Sequence, residues 1–69
     1  MRLSTRNQLA GKVVNVTTGE AMAVVKVEIP GGQVMTSSIT LDALKDLGIA
    51  VGADVTLVIK STDVALGVE

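Results

Sequence analysis

Five polar residues in succession, Ser4-Thr5-Arg6-Asn7-Gln8, stand between Leu3 and Leu9. They offer hydroxyls, side-chain amides and a guanidinium, and no carboxylate. A second donor-rich stretch, Lys60-Ser61-Thr62, meets no acid until Asp63. A tetrahedral oxyanion needs several hydrogen-bond donors converging from different directions, and these side chains with their backbone N–H groups could supply them. Hydrogen bonds to a charged acceptor are roughly twice as strong as neutral ones, whereas a nearby carboxylate would repel the ligand. Thr40, just ahead of a helical pattern, adds a hydroxyl and the N–H groups of a helix start. Taken singly, each stretch fits a plainer role: a polar strand edge for Ser4 to Gln8, a hairpin turn for Lys60 to Thr62, a helix cap for Thr40. Only their convergence would make an oxyanion pocket.

Catalysis is hard to build from this composition. The chain has no histidine and no cysteine. The commonest general base, the commonest metal ligand and any disulfide or thiolate site are therefore absent. Asp42 and Asp46 are four apart, on one helix face, a spacing typical of a solvated surface. Glu20, Glu28 and Asp63 are scattered along the chain. A binding protein is expected rather than an enzyme, with no directly ligated metal and no organic cofactor. Six basic against seven acidic residues give a net charge of −1, and there is no Phe, Tyr or Trp. Single-stranded nucleic acid is normally held by a basic groove with stacking aromatics, so nucleic acid is not an expected partner. No apolar run approaches the roughly 18 residues of a membrane span, and no signal-peptide stretch follows Met1-Arg2-Leu3-Ser4. A cytoplasmic protein without membrane contact is expected.

The elements that must position these groups are mostly strands. From Ala10 to Thr17, the run Lys12-Val13-Val14-Asn15-Val16-Thr17 mixes apolar and polar positions in β-branched residues, as a half-buried strand does. Arg2 to Leu9 either extends this strand or reaches a neighbouring subunit. Thr18-Gly19-Glu20 is a turn signal. In Ala21 to Ile29 the alternation of Ala23, Val25, Val27 and Ile29 with Lys26 and Glu28 gives a second strand. Pro30-Gly31-Gly32 turns the chain into a third, Gln33 to Ile39, which pairs with it as a hairpin. The period then changes. Leu41, Leu44 and Leu47 recur at helical spacing, with Thr40 as N-cap and Gly48 suited to the left-handed C-terminal position. Asp54 to Lys60 reads as a fourth strand. Val64, Leu66 and Val68 alternate as a fifth.

The expected fold is all-β: one domain over residues 1–69, a small five-stranded OB-like barrel with a short helix between strands 3 and 4. An SH3-like barrel is the nearest competitor. With 69 residues and no aromatics, the core is thin and the chain is hydrophobic for its size. Apolar surface left over should be covered by further copies of the chain.

The residues assembled so far resemble the molbindins, small bacterial molybdate-binding proteins. The resemblance rests on Ser4-Thr5-Arg6-Asn7-Gln8 followed by Gly11-Lys12-Val13-Val14, on Ile59-Lys60-Ser61-Thr62-Asp63-Val64, and on Pro30-Gly31-Gly32, Ile39-Thr40, Leu47-Gly48-Ile49 and Val51-Gly52 between them. It implies an OB-like fold in a homo-hexamer, a trimer of dimers, that binds molybdate or tungstate in pockets between subunits for storage and homeostasis. The binding positions it implies are Ser4, the backbone at Thr5, Arg6, Thr40, Lys60 and Ser61, with the two ends of the chain contributed by adjoining copies. A family serine three residues after Thr40 is Ala43 here, one hydroxyl fewer. Selectivity over sulfate would come from pocket size. The alternative is an OB-like module that binds another protein and no small ion.

Overall fold

A computed structural model describes all of residues 1–69. It contains β1 (Asn7–Thr18), β2 (Met22–Glu28), β3 (Val34–Thr40), α1 (Leu41–Asp46) and β4 (Asp54–Ile59), followed by a single 3-10 turn at Ser61–Asp63. The strands form one antiparallel sheet in the order β3-β2-β1-β4.

β1 is long because it serves two partners. Asn7 to Lys12 pair with β4, from Asn7↔Ile59 to Lys12↔Asp54. Lys12 to Thr18 pair with β2, from Lys12↔Glu28 to Thr18↔Ala23. Where one partnership gives way to the other, the register with β2 shifts between Val13 and Asn15, and Val14 is the extra residue of a β-bulge. A bulge bends its strand and increases the local twist, which curls the sheet into a half-barrel. Gly11 lies just before the bend. A Cβ there would sit 2.5 Å from Val27 Cγ1 and 3.1 Å from the Glu28 carbonyl oxygen, so glycine lets β1 pass close to β2.

The concave face holds the core. Ala23, Val25 and Val27 of β2 are buried with Val13 of β1 and Leu44 of α1, and Val16, Ile39, Leu41, Ile49, Ala53, Val55 and Leu57 pack around them. The helix forms as its capping residues dictate: Thr40 Oγ1 accepts the Ala43 N–H at 3.1 Å. At its other end Gly48 takes φ +64°, and Ile49 N donates to the Leu44 carbonyl at 3.0 Å. The helix stops at Asp46, so Leu47 becomes the C-cap and is 72% exposed rather than part of the apolar face.

Of the two alternatives for Arg2 to Leu9, extension of the first strand is found from Asn7 onward, because β4 offers it a partner over that stretch. One expectation is corrected. The fifth strand over Val64 to Val68 is not formed, leaving four strands rather than five. Alternation alone gives a segment two faces, but a strand also needs a neighbouring backbone to hydrogen-bond, and after the 3-10 turn the chain pairs with no edge of the sheet. Leu66 and Val68 are 95% and 100% exposed.

Only 5 of 69 residues are buried, and the chain exposes 5358 Å². A compact monomer of 7.1 kDa would expose about 4,100 Å². The difference, about 1,300 Å² per copy, exceeds the roughly 800 Å² each partner contributes to a standard protein interface.

Candidate functional site

The pairing of β1 with β4 decides where the two donor-rich stretches meet. Asn7 is opposite Ile59, so Arg6 and Lys60 follow one step beyond the last pair, with Ser4 and Thr5 on one side and Ser61 on the other. The two stretches therefore come together within a single copy, at one end of one ladder, without needing adjoining copies. Thr5 is half-buried; Ser4, Arg6, Lys60 and Ser61 are exposed.

The backbone adds to the donor set. The N–H groups of Ser4, Thr5, Arg6, Lys60, Ser61 and Thr62 donate to no group of the chain. Two side chains fix the frame that carries them. Asn7 Nδ2 donates to the Ile59 carbonyl at 3.1 Å, tying β1 to β4 at the ladder's end. Gln8 Nε2 donates to the Thr5 carbonyl, also at 3.1 Å, tying the preceding segment to the start of β1. Sequence reasoning counted Asn7 and Gln8 only as members of the polar run; their separate task appears once the register is known.

Thr40 lies elsewhere. It ends β3 opposite Met22, level with the Thr18 end of β1. At about 3.3 Å per residue, the length of β1 places it on the order of 30 Å from Arg6 and Lys60 of the same copy. Its hydroxyl accepts the Ala43 N–H, which leaves the hydroxyl proton available to an outside acceptor. Of the six residues expected in the site, one copy gathers Ser4, Thr5, Arg6, Lys60 and Ser61 and leaves Thr40 apart.

A groove of about 860 Å³ lies away from this cluster. It runs past Met1, Ala10, Val14 and Pro30 and includes the Lys12–Asp54 ion pair, at 3.2 Å. Both charges of that pair are well exposed, so it contributes little to stability.

The model of the TOBE domain family matches residues 3–66. The chain belongs to the TOBE domain family, as a molbindin. It is similar to molybdenum-pterin-binding protein 3 of Clostridium pasteurianum, at 53% identity over 66 residues, covering 96% of this chain and 97% of that one. Among solved structures, MopII from Clostridium pasteurianum superposes with a TM-score of 0.90 at 48% identity, covering 97% of this chain and all of that one. The cytoplasmic molybdate-binding protein ModG, solved with molybdate bound, superposes with a TM-score of 0.94 at 42% identity. It matches 100% of this chain but only 49% of its own. The half-barrel sheet and short helix of this molbindin are thus those of the OB-type molybdate-binding proteins. No helix in it is long and apolar enough to cross a membrane.

Proposed function

We propose that the chain binds molybdate or tungstate, without transforming it, as a cytoplasmic store that buffers the oxyanion. The observation that carries this reading is the Asn7↔Ile59 register, which sets Ser4, Thr5 and Arg6 beside Lys60 and Ser61. Arg6 and Lys60 supply positive charge to a doubly negative ion. The hydroxyls of Ser4 and Ser61 and unpaired N–H groups of these two segments supply directed hydrogen bonds, each worth about 1.5–3 kcal/mol to a charged acceptor. The relatives carry molybdenum in their names, and ModG holds molybdate.

In this reading Thr40 joins the site from a second copy. That explains why one chain leaves it so far from Arg6, and it makes the pocket a property of the assembly. The surplus of about 1,300 Å² of exposed surface supports an assembly of this kind. We assign it as a homo-hexamer, a trimer of dimers.

Isothermal titration of the purified protein with molybdate, tungstate and sulfate tests the ligand. Heat with the first two and little with sulfate is expected; no heat with any of them ends the reading. Light scattering tests the assembly separately, and a monomer at working concentration would remove the inter-subunit pocket. The exposed apolar residues Val14, Met22, Val24 and Val34 also suit a protein-binding module. That second reading predicts a monomer or dimer with no response to any oxyanion.

A further inference from the structure

The oxyanion reading uses three members of the polar run as ligands, while the side chains of Asn7 and Gln8 bond to backbone carbonyls instead. The two make a matched pair of contacts. Asn7 Nδ2 takes the carbonyl of Ile59, the residue before Lys60. Gln8 Nε2 takes the carbonyl of Thr5, the residue before Arg6. Each side-chain amide thus engages the peptide bond that leads into one of the two cationic residues.

The peptide geometry gives this a consequence. There are no cis peptide bonds, and in a trans peptide the C=O and the following N–H point in opposite directions. Fixing the Ile59 carbonyl on Asn7 directs the Lys60 N–H away from Asn7. Fixing the Thr5 carbonyl on Gln8 directs the Arg6 N–H away from Gln8. Both N–H groups are unpaired in the chain. The same two contacts engage two carbonyl oxygens that would repel an anion if the peptides turned over. Donors are held free and acceptors held occupied, at the foot of both cationic side chains.

We propose that Asn7 and Gln8 are positioning residues of the oxyanion site, and that by fixing these two peptides they set which size of dianion the site accepts. This rests on the oxyanion reading above. Sulfate and molybdate share charge and tetrahedral shape and differ in size. A frame that holds its N–H groups in place discriminates between them, whereas one whose peptides can tilt adapts to both.

The test is the ratio of molybdate to sulfate affinity, measured by competition calorimetry on the full-length assembled protein. Gln8→Met and Asn7→Leu keep the approximate volume and remove the donor. Each should weaken molybdate binding about tenfold, the scale of lost outer-shell support at a bound ion, and lower the molybdate-to-sulfate ratio. Gln8→Lys restores a donor for the Thr5 carbonyl and should restore the ratio; its added charge acts alike on both dianions. Equal weakening toward both anions would mean a merely structural role and overturn the proposal, as would unchanged affinities. Gln8 is exposed and outside the core, so Gln8→Met decides the matter even where Asn7→Leu fails to assemble. Wild-type protein silent to every oxyanion removes the functional reading and this inference together. Wild-type binding with an unaltered ratio in Gln8→Met removes the inference alone.

Discussion

Lys60 is the residue on which the functional reading leans most, because it combines a charge with a place one step beyond the β1–β4 ladder. Lys60→Ala should weaken molybdate binding by about 10- to 100-fold, the loss expected for one charge-assisted hydrogen bond. Calorimetry reads this directly, and unchanged affinity would take Lys60 out of the site. Thr40 has a second duty that can be separated from ligand binding. Its hydroxyl caps α1, so Thr40→Val should lower stability by about 1 kcal/mol without ligand, seen as a drop in the urea midpoint. Residue types alone made Ser4, Arg6, Lys60 and Ser61 legible as donors and Thr40 legible as a cap. They could not tell Asn7 and Gln8 from their neighbours. An amide that receives an anion and one that holds a carbonyl look alike until the backbone opposite is known.

Among the elements, the β2–β3 hairpin and α1 were readable because their signals are local: alternation in Ala23, Val25 and Val27, a turn at Pro30-Gly31-Gly32, leucines at helical spacing after Thr40. What was left open or missed is non-local. The start of β1 depends on β4, which comes only after β2, β3 and α1 in the chain. Val64, Leu66 and Val68 carry a strand's pattern, yet no strand lies beside them in the single chain. Gly11 shows how tightly these elements are fitted. Gly11→Ala would force a methyl group onto Val27 at the curl of β1 and should cost about 1–3 kcal/mol, measured by chemical denaturation. A wild-type denaturation midpoint in that variant would mean the strands can separate at no cost.

At the scale of the whole molecule, the distance between Thr40 and Lys60 turns into a test of how copies cooperate. Neither Lys60→Ala nor Thr40→Val protomers should form a complete pocket by themselves. Unfolded together and refolded as mixed assemblies, they should regain molybdate binding above either parent, because some interfaces then pair a wild-type Thr40 with a wild-type Lys60. Titration of the mixture against each parent checks this, and no gain on mixing would confine the site to one copy. The pairing of Asn7 with Ile59 reaches further still. The sheet is entered and left at the same corner, so two such units can be threaded head to tail with little connecting chain and no rebuilding of either. ModG, of whose length this chain matches 49%, has room for that arrangement. A covalently doubled version of this chain, joined by a short flexible peptide, should therefore fold as readily as the single one.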